Sequence, residues 1–261
     1  MPITDFITEL FCRVDDLLGP LPRYHGEKLH LSELVTVGML FALKGGSTHA
    51  FHRWASNNLA YLFPNLPERT RLFRRLATRW ELATRLLAEP TVFAILDTYG
   101  VETIHPRRDG RTEHQIGRKG ISNHRWIVGA KVALVVNQRG EVIAWSVMPD
   151  NVHDQTFHPL SADFDGETIC LGDLGFRCRA GIPNNLVLCR RGTWPCRFVI
   201  ETVLSMMTTV MHTKKMLQRS WDGMIARLSY TMATFNVLIG WDGFEPDENG
   251  RTPLSIARFS L

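Results

Sequence analysis

Several features that would assign a sequence to a common class at once are missing from this chain. Its five cysteines include no C-x-x-C pair, and zinc sites usually show such close pairs, so we do not expect a zinc centre. No apolar run reaches the roughly 20 residues that a membrane-spanning helix needs. Asp5 and Glu9 interrupt the first apolar stretch, which argues against a signal peptide. The chain also has no internal repeat and no low-complexity segment. We expect an intracellular protein with reduced thiols.

A strong net charge is missing as well, because 30 lysines and arginines face 26 acids and leave only +4 over 261 residues. The positive charge is nevertheless clustered. Six arginines lie between Arg69 and Arg85, and six arginines or lysines lie between His105 and Arg125. Such clusters suit contacts with DNA phosphates, which provide much of the affinity of DNA-binding proteins. The alternative for either cluster is an ordinary solvated surface.

The first 88 residues have the periodicity of several short helices. Helices are expected over residues 4–18, from a cap at Ser32 through Leu43, from a cap at Ser47, and over residues 67–88 beginning at Pro67. On the last helix, Arg71, Arg75 and Arg79 are four apart and form one stripe of candidate DNA contacts. Short helices ending in a basic one resemble a helix-turn-helix domain, which we expect over residues 1–88. A helical cap that binds nothing is the alternative.

From residue 89 to residue 240 the pattern changes to strands and helices. The expected strands are Phe93–Leu96, Trp126–Val136, Glu141–Val147, Thr168–Leu171 and Leu186–Leu188. The expected helices run from a cap at Asp154 through Leu160, from Pro195 to about Gln218, and over residues 222–240. A hairpin followed by crossover strands predicts an α/β fold with a mixed sheet. Residues 241–261 are left as a C-terminal tail.

Three acids occupy positions at which an ionised side chain is costly without a partner. Asp97 and Asp173 each follow a short apolar strand and should lie at or near its end. Glu201 interrupts an apolar stretch near the start of a helix, at the edge of the seam that faces the core. For any single acid, the alternative is a helix cap or a salt-bridge partner.

Three carboxylates that converge repel one another unless a cation lies between them. Mg²⁺ or Mn²⁺, which prefer oxygen ligands, are the natural partners. Two such ions about 3.5–4 Å apart can activate water and stabilise the leaving oxygen in phosphodiester cleavage. The prediction is therefore a two-ion centre held by Asp97, Asp173 and Glu201.

Five short motifs follow one another along this part of the chain. They are AILDT at 94–98, GAKV at 129–132, DNVHD at 150–154, LGDLGF at 171–176 and RFVIE at 197–201. In this order and spacing they resemble the DDE transposases of bacterial insertion sequences. The last motif matches that family's pattern of an arginine, three residues and the third catalytic glutamate. Residues 66–76 are similar to the family's N-terminal region, so the resemblance covers most of the chain.

The resemblance implies an RNase H-like catalytic domain over residues 89–240, with a mixed sheet flanked by helices. It implies a DNA transposase that cleaves the ends of a mobile element and joins them to target DNA. The catalytic and metal-binding residues would be Asp97, Asp173 and Glu201. The expected DNA contacts are Arg71, Arg75, Arg79, Lys131 and Arg197. The family further implies a homodimer on double-stranded DNA, formed by terminal inverted repeats and target, and a cytoplasmic, nucleoid-associated location.

Two departures from the family's pattern concern the third acid. The family often has tyrosine three residues before the arginine, where this chain has Trp194, and lysine seven positions after the glutamate, where it has Thr208. Lys214 and Lys215 lie nearly two helical turns further on. The family's lysine contact to DNA is therefore in doubt, although the three acids are not. The short interval between Asp173 and Glu201 leaves no room for the extra β-domain that some relatives insert there.

Two other functions remain open. One is a nuclease of the same fold that selects DNA by structure and does not transfer strands. The other is a DNA-binding protein that derives from a transposase and has lost catalysis. Tyr99 and Trp126 are weaker candidates for stacking on a base, because aromatic residues at strand ends usually belong to the core or its rim.

Overall fold

The chain begins with a group of helices. The structure is a computed structural model that describes residues 2–23, 25–122, 125–190, 197–245 and 255–261. The helices are α1 (Ile3–Leu18), α2 (Leu31–Lys44), α3 (Thr48–Asn58), α4 (Arg69–Thr78) and α5 (Glu81–Thr84). The predictions of α1 and of Ser47 as the cap of α3 are confirmed, since the Ser47 hydroxyl accepts from Ala50 N at 3.2 Å.

Two of the predicted helix starts were wrong. The cap of α2 is His30, not Ser32, because the Glu33 carboxylate reaches back to His30 N at 2.6 Å. The cap of α4 is Glu68, whose carboxylate accepts from Thr70 N and Arg71 N. A carboxylate at this end also offsets the helix dipole.

The single helix expected over residues 67–88 is divided into α4 and α5. Arg79 ends α4 with a non-helical backbone, at φ −124° and ψ 17°. The hydroxyl of Tyr230 points at the carbonyl oxygens of Leu76 and Arg79, at 3.4 and 3.5 Å, which gives the interrupted turn a partner. Arg79 therefore follows α4 instead of lying within a continuous helix.

A six-stranded sheet follows the helices. Its strands are β1 (Phe93–Ile104), β2 (Arg118–Ser122), β3 (Arg125–Asn137), β4 (Val142–Pro149), β5 (Ile169–Gly172) and β6 (Leu186–Leu188). The order is β2-β3-β1-β5-β6, and β4 also pairs with β3. The β1–β3, β2–β3 and β3–β4 pairs are antiparallel, whereas β1–β5 and β5–β6 are parallel. The predicted mixed sheet with a hairpin followed by crossover strands is confirmed.

The sheet differs from the prediction in two strands. β1 is three times as long as the four-residue strand expected, because its second half pairs with β3 as far as Ile104. β2 was missed, since it is mostly polar and basic and lacks the apolar alternation of a core strand.

The last helices are α6 (His158–Ala162), α7 (Arg197–Val210) and α8 (Trp221–Ile239). Pro195, the expected start of α7, lies outside the described residues. α7 ends eight residues before the predicted Gln218, and His212 follows in a left-handed conformation with φ 56°. The next residues run extended beside β1, where Glu102 N donates to Lys214 O and Met216 N to Glu102 O. Pairing with the sheet replaces the last turns of the predicted helix.

The sheet separates two hydrophobic clusters. One face, with Ala133, Val135 and Leu96, packs under the turn that precedes α6. The other face, with Ile95, Val132 and Leu134, shares a larger core with α7, α8 and the N-terminal helices. The helices α1–α5 are therefore continuous in packing with the sheet.

α8 joins the helical and sheet regions and is buried along most of its length. Arg227 donates to the carbonyl oxygens of Phe41 and Ala42 at the end of α2. Asn236 donates to Val142 O at 2.8 Å and accepts from Val142 N at 2.8 Å on β4, and also donates to Leu86 O at 3.2 Å. These bonds satisfy backbone groups that burial would otherwise leave unpaired.

The architecture is thus a mixed α/β fold with a curled sheet and flanking helices, consistent with the RNase H-like prediction. A helix-turn-helix domain and the domain boundary near residue 88 stay predictions. Among the described residues, no helix combines the length and the apolar character that a membrane crossing requires.

Candidate active site

The two aspartates predicted as catalytic lie side by side on neighbouring strands. β1 and β5 are parallel, and Leu96 is the partner of Gly172 in their register. Asp97 and Asp173 are the next residues along the two strands. β5 ends at this point, whereas β1 continues with Asp97 opposite Leu134 of β3. Backbone pairing alone therefore brings together two acids that are far apart in sequence.

Asp97 is held largely out of water, and this burial is the main reason that the pKa of its carboxyl rises to about 6. Thr98 N donates to its Oδ1 at 2.8 Å and opposes that increase. The nearby charges of Asp173 and Asp154 raise the pKa, whereas the guanidinium of Arg197 lowers it. A cation at this position would relieve the repulsion between the acids and favour the ionised form of Asp97.

Asp173 is fixed by the turn that follows β5. Its Oδ1 accepts from Gly175 N at 2.8 Å and caps the short turn Leu174–Phe176. A Cβ atom at Gly175 would lie 2.9 Å from this oxygen and 2.6 Å from Oδ2 of Asp154. The missing side chain of Gly175 is therefore what allows the two carboxylates to approach the same turn.

Asp154 is anchored to the opposite face of the sheet. Its Oδ1 accepts from Thr98 Oγ1 at 3.0 Å and from Lys131 Nζ at 2.8 Å, and Lys131 also donates to Val152 O at 2.8 Å. The prediction of Asp154 as a helix cap was wrong, because His153 precedes the turn and the Asp154 carboxylate is bound to Lys131. Thr98 is the neighbour of Asp97, so one carboxylate connects the first aspartate's strand with the second aspartate's turn.

Lys131 was expected among the DNA contacts. Its side chain is only 15% exposed and its ammonium is bound by Asp154 and a carbonyl oxygen, so it presents little free charge to a phosphate. The register of β1 and β3 explains why Lys131 and Thr98 meet the same carboxylate. Thr98 is opposite Ala133, two residues from Lys131, and alternation places the side chains of Thr98 and Lys131 on the same face.

Asp150 is a second buried acid beside this pair. The residue is 2% exposed, and neither carboxylate oxygen has a hydrogen-bond partner among the described residues. Burial raises the pKa of its carboxyl, the charge of Lys131 lowers it and that of Asp154 raises it. A Cβ at Gly120 would lie 2.2 Å from Asp150 Oδ2, so β2 closes over this carboxyl.

Glu201, the predicted third acid, lies on α7 with its side chain 58% exposed. Its Oε1 forms an ion pair with Arg197 Nε at 3.1 Å across one helical turn. The core-facing residues of this helix include Ile200, Val203 and Met207. The structure thus connects Glu201 to Asp97 through the charge of Arg197, and does not bring the three acids into one cluster.

The two aspartates beside the end of β5 fit a divalent cation in donor type. Asp97 and Asp173 offer carboxylate oxygens, which Mg²⁺ and Mn²⁺ prefer, and their repulsion is the kind that a cation relieves. Within the described ranges, however, no three side chains of histidine, cysteine, aspartate or glutamate are arranged as a metal site. A cation at this pair would need a further ligand.

Arg71, Arg75 and Arg79 share one open cleft, as the predicted stripe requires. The cleft has a volume of about 590 Å³ and lies between the loop at residues 25–28, the turn at residues 64–68 and α4. Arg75 Nη2 pairs with Glu27 Oε1 at 2.5 Å and also donates to Leu29 O at 3.0 Å. The cleft is lined by arginines, and Glu27 within it already forms an ion pair with Arg75.

The fold and the paired aspartates together define a class: an α/β domain with a mixed sheet that carries two acids at adjacent positions of parallel strands. Residues 87–180 match the family model of the transposase DDE domain. The matched segment contains Asp97, Lys131, Asp154 and Asp173 and ends before Glu201. This match supports the resemblance to DDE transposases over the segment that it covers. No curated protein is similar enough to the chain to count as a match.

Proposed function

We propose that this chain cleaves the ends of a mobile DNA element, of the kind found in bacterial insertion sequences, and joins them to target DNA. A transposase DDE domain belongs to nucleases and strand-transfer enzymes that generally use divalent metal ions. The observation that carries the proposal is the Asp97–Asp173 pair on adjacent parallel strands inside the matched segment.

Asp97 and Asp173 would hold the divalent ions, Mg²⁺ or Mn²⁺, with Glu201 as the third ligand. Two such ions supply an activated water and stabilise the leaving oxygen. Glu201 would have to rotate away from Arg197, or α7 would have to move towards the sheet. The exposed position of Glu201 near the start of the helix supports this role, because its carboxylate has solvent around it in which to turn.

Arg197 interacts electrostatically with both Glu201 and Asp97. It pairs with Glu201, and its charge lowers the pKa of Asp97. The guanidinium of Arg197, beside the site, would meet a phosphate of the scissile strand. Its planar fork suits two phosphate oxygens at once.

The cleft at Arg71, Arg75 and Arg79 would bind the phosphates of an element end, with two protomers holding two ends on DNA in the nucleoid. Changing all three arginines to alanine should weaken duplex binding and reduce the slope of log affinity against log salt by about 0.9 for each phosphate that the protein no longer neutralises. Arg75→Ala alone should have a smaller effect than Arg71→Ala, because Glu27 already compensates Arg75. An unchanged salt slope in the triple variant would exclude the cleft as a DNA-binding surface.

The main experiment follows nicked and joined products separately on DNA that carries the element's own ends. We expect both products to need Mg²⁺ or Mn²⁺, and Asp173→Asn to remove both. Asp154→Asn is the matched control, since it replaces a neighbouring aspartate that we do not assign to the cation. Activity that persists in excess EDTA, or that survives Asp173→Asn but not Asp154→Asn, would contradict the proposed ligands.

Two observations favour the alternative that the chain binds DNA but has lost catalysis. Glu201 is bound to Arg197 instead of lying near the aspartates, and Thr208 stands where the resemblance leads us to expect lysine. That alternative predicts end binding without nicking at any cation concentration. A structure-selective nuclease predicts nicked products without joined ones. The product assay distinguishes all three functions.

A further inference from the structure

The hairpin of β2 and β3 exposes two large apolar side chains away from the two aspartates. Ile121 is 58% exposed and Trp126 is 57% exposed. The two residues are direct partners in the β2–β3 register, so their side chains share one face. Large apolar side chains that lie next to each other in solvent commonly mark an interaction surface.

Positive charge surrounds this pair. Lys119 Nζ lies 5.1 Å from the centre of the Trp126 ring, and Arg118 precedes it on the same exposed strand. Residues 105–126 contain six arginines or lysines and two acids. Glu102, on the neighbouring strand, is already paired with Arg125 at 3.7 Å and with Lys215 at 3.4 Å. The surface is therefore a basic one with an aromatic centre.

The face of this surface is the face that carries Asp97. Trp126 and Leu134 are an even number of residues apart on β3, and Leu134 is the partner of Asp97. Side chains alternate along a strand, so the three side chains point to the same side. Eight residues at about 3.3 Å each separate Trp126 from Leu134 by about 26 Å.

We propose that Lys119, Ile121 and Trp126 form a stacking surface for unpaired bases of the DNA strand that flanks the scissile phosphate. The inference rests on the proposed function for the position of the scissile phosphate. The stacking of bases on Trp126 does not depend on that function. A flat indole ring gains most from the face of a base, and paired bases in a duplex do not offer that face. The ammonium of Lys119 would contact a phosphate of that strand, as in other single-strand binding surfaces.

A second copy of this chain fits the surface less well. A symmetric dimer interface places the same patch against itself. The arginines and lysines around the hairpin would then face their own copies across the interface, which is unfavourable without added anions. An unpaired nucleic acid strand supplies both the negative charge and the stacking partner.

The distance also predicts the length of the flank. About 26 Å corresponds to about eight nucleotides at the 3.4 Å per nucleotide of a stacked strand. A shorter unpaired flank that begins at the cleavage site should not reach Trp126, whereas longer flanks should add little.

The test measures equilibrium binding of the full chain in EDTA, so that no cleavage interferes. The probes are one duplex without a flank and the same duplex with unpaired 3′ or 5′ flanks of about four, eight and twelve nucleotides. A flank of about eight nucleotides should tighten binding about tenfold, which equals about 1.4 kcal/mol. Trp126→Ala should lose this gain and leave duplex binding unchanged, while Trp126→Phe should keep most of it, because phenylalanine retains an aromatic face.

Lys119→Ala should reduce the salt slope for the flanked probe by about 0.7, the value for one phosphate of a single strand. Tyr61→Ala is the matched control, because Tyr61 is an aromatic residue with 60% exposure on the N-terminal helical region. Melting temperature and sedimentation of each variant monitor folding and self-association.

Two results would overturn the inference. One is a Trp126→Ala protein that binds flanked DNA as tightly as the unaltered chain. The other is a Trp126→Ala protein that changes its oligomeric state and weakens binding to every probe equally, which would identify the surface as an interface between copies. Failure of nicking would contradict the proposed function alone, because the binding test needs no cation and no cleavage.

Discussion

The two sheet aspartates and the helix glutamate are positioned by different means. Asp97 and Asp173 are fixed by the parallel pairing of β1 and β5, in which the residues just before them are register partners. Glu201 depends on where α7 lies and on which way an exposed side chain turns. The strand-borne acids are adjacent, whereas the helix-borne acid is paired with Arg197.

The difference indicates which part of the site is pre-organised. Paired strands hold the two aspartates that we propose share a cation despite their mutual repulsion. Glu201, the proposed third ligand, lies on a helix with its side chain exposed, so it would reach a cation by turning its own side chain. We therefore expect substitutions of the strand aspartates to remove activity at any cation concentration. Substitution of Glu201 on α7 should weaken cation binding, so that more cation restores part of the activity.

The largest expected effect is at the strand pair. Asp97→Asn and Asp173→Asn should each lower single-turnover nicking by about 1000-fold or more, because positioned metals tolerate little displacement. DNA binding should remain nearly intact. Glu201→Gln should also abolish nicking at ordinary cation concentration, but part of the activity should return when Mn²⁺ is raised. Normal nicking by Glu201→Gln would remove α7 from the catalytic site altogether.

The next largest effect concerns the Lys131–Asp154 ion pair. Lys131→Met keeps about the length of the side chain but removes the ammonium that pairs with Asp154. The loss should lower the free energy of unfolding by about 2 kcal/mol. The side chains are 15% and 25% exposed, so water screens this pair only partly. Denaturant unfolding of the double variant Lys131→Met/Asp154→Asn is the control. Stability should recover in part, and a double variant with the summed loss would show that the two residues do not interact.

A smaller effect is expected at the arginine that links the two regions. Arg197→Lys keeps the charge but loses the planar fork, and it should lower the nicking rate about tenfold, or about 1.4 kcal/mol of barrier. Melting temperature should change little, because the Arg197–Glu201 pair is partly exposed and of the i,i+4 kind. Nicking at the normal rate would make Arg197 a surface residue and would weaken the assignment of Glu201.

The last expected effect concerns the pH dependence of stability and not activity. The pKa of Asp97 is raised in the folded protein to about 6, above its usual value of 3.8, so the fold favours the protonated form. The stabilisation that this gives is complete below about pH 4 and is lost as the pH rises through 6. Asparagine does not ionise, so Asp97→Asn should stabilise the cation-free protein by about 1–3 kcal/mol at pH 8 and by little at pH 4.

Thermal unfolding in EDTA at both pH values measures this difference. Glu201→Gln is the comparison, because it replaces a carboxylate whose side chain is exposed. Equal effects of the two substitutions would mean that Asp97 is no more constrained than Glu201.

Much of the helical and strand pattern could be predicted from the sequence. Apolar periodicity located α1, α8, β3 and β4 to within a few residues, since each has one face that must be buried. The same rule failed for β2, whose only strong constraint is pairing with β3. It also failed for the end of α7, where pairing beside Glu102 replaces a continued helix.

For the candidate site, the sequence by itself determined which acids follow buried strands, because a carboxylate after an apolar run is costly and therefore conspicuous. It also determined the resemblance that the match over residues 87–180 supports. Only the tertiary structure decided that Asp97 and Asp173 are neighbours, that Lys131 is bound by Asp154, and that Glu201 is paired with Arg197. The reason is physical: strand register, sheet face and the position of a helix depend on contacts between distant residues, and local sequence does not contain those contacts.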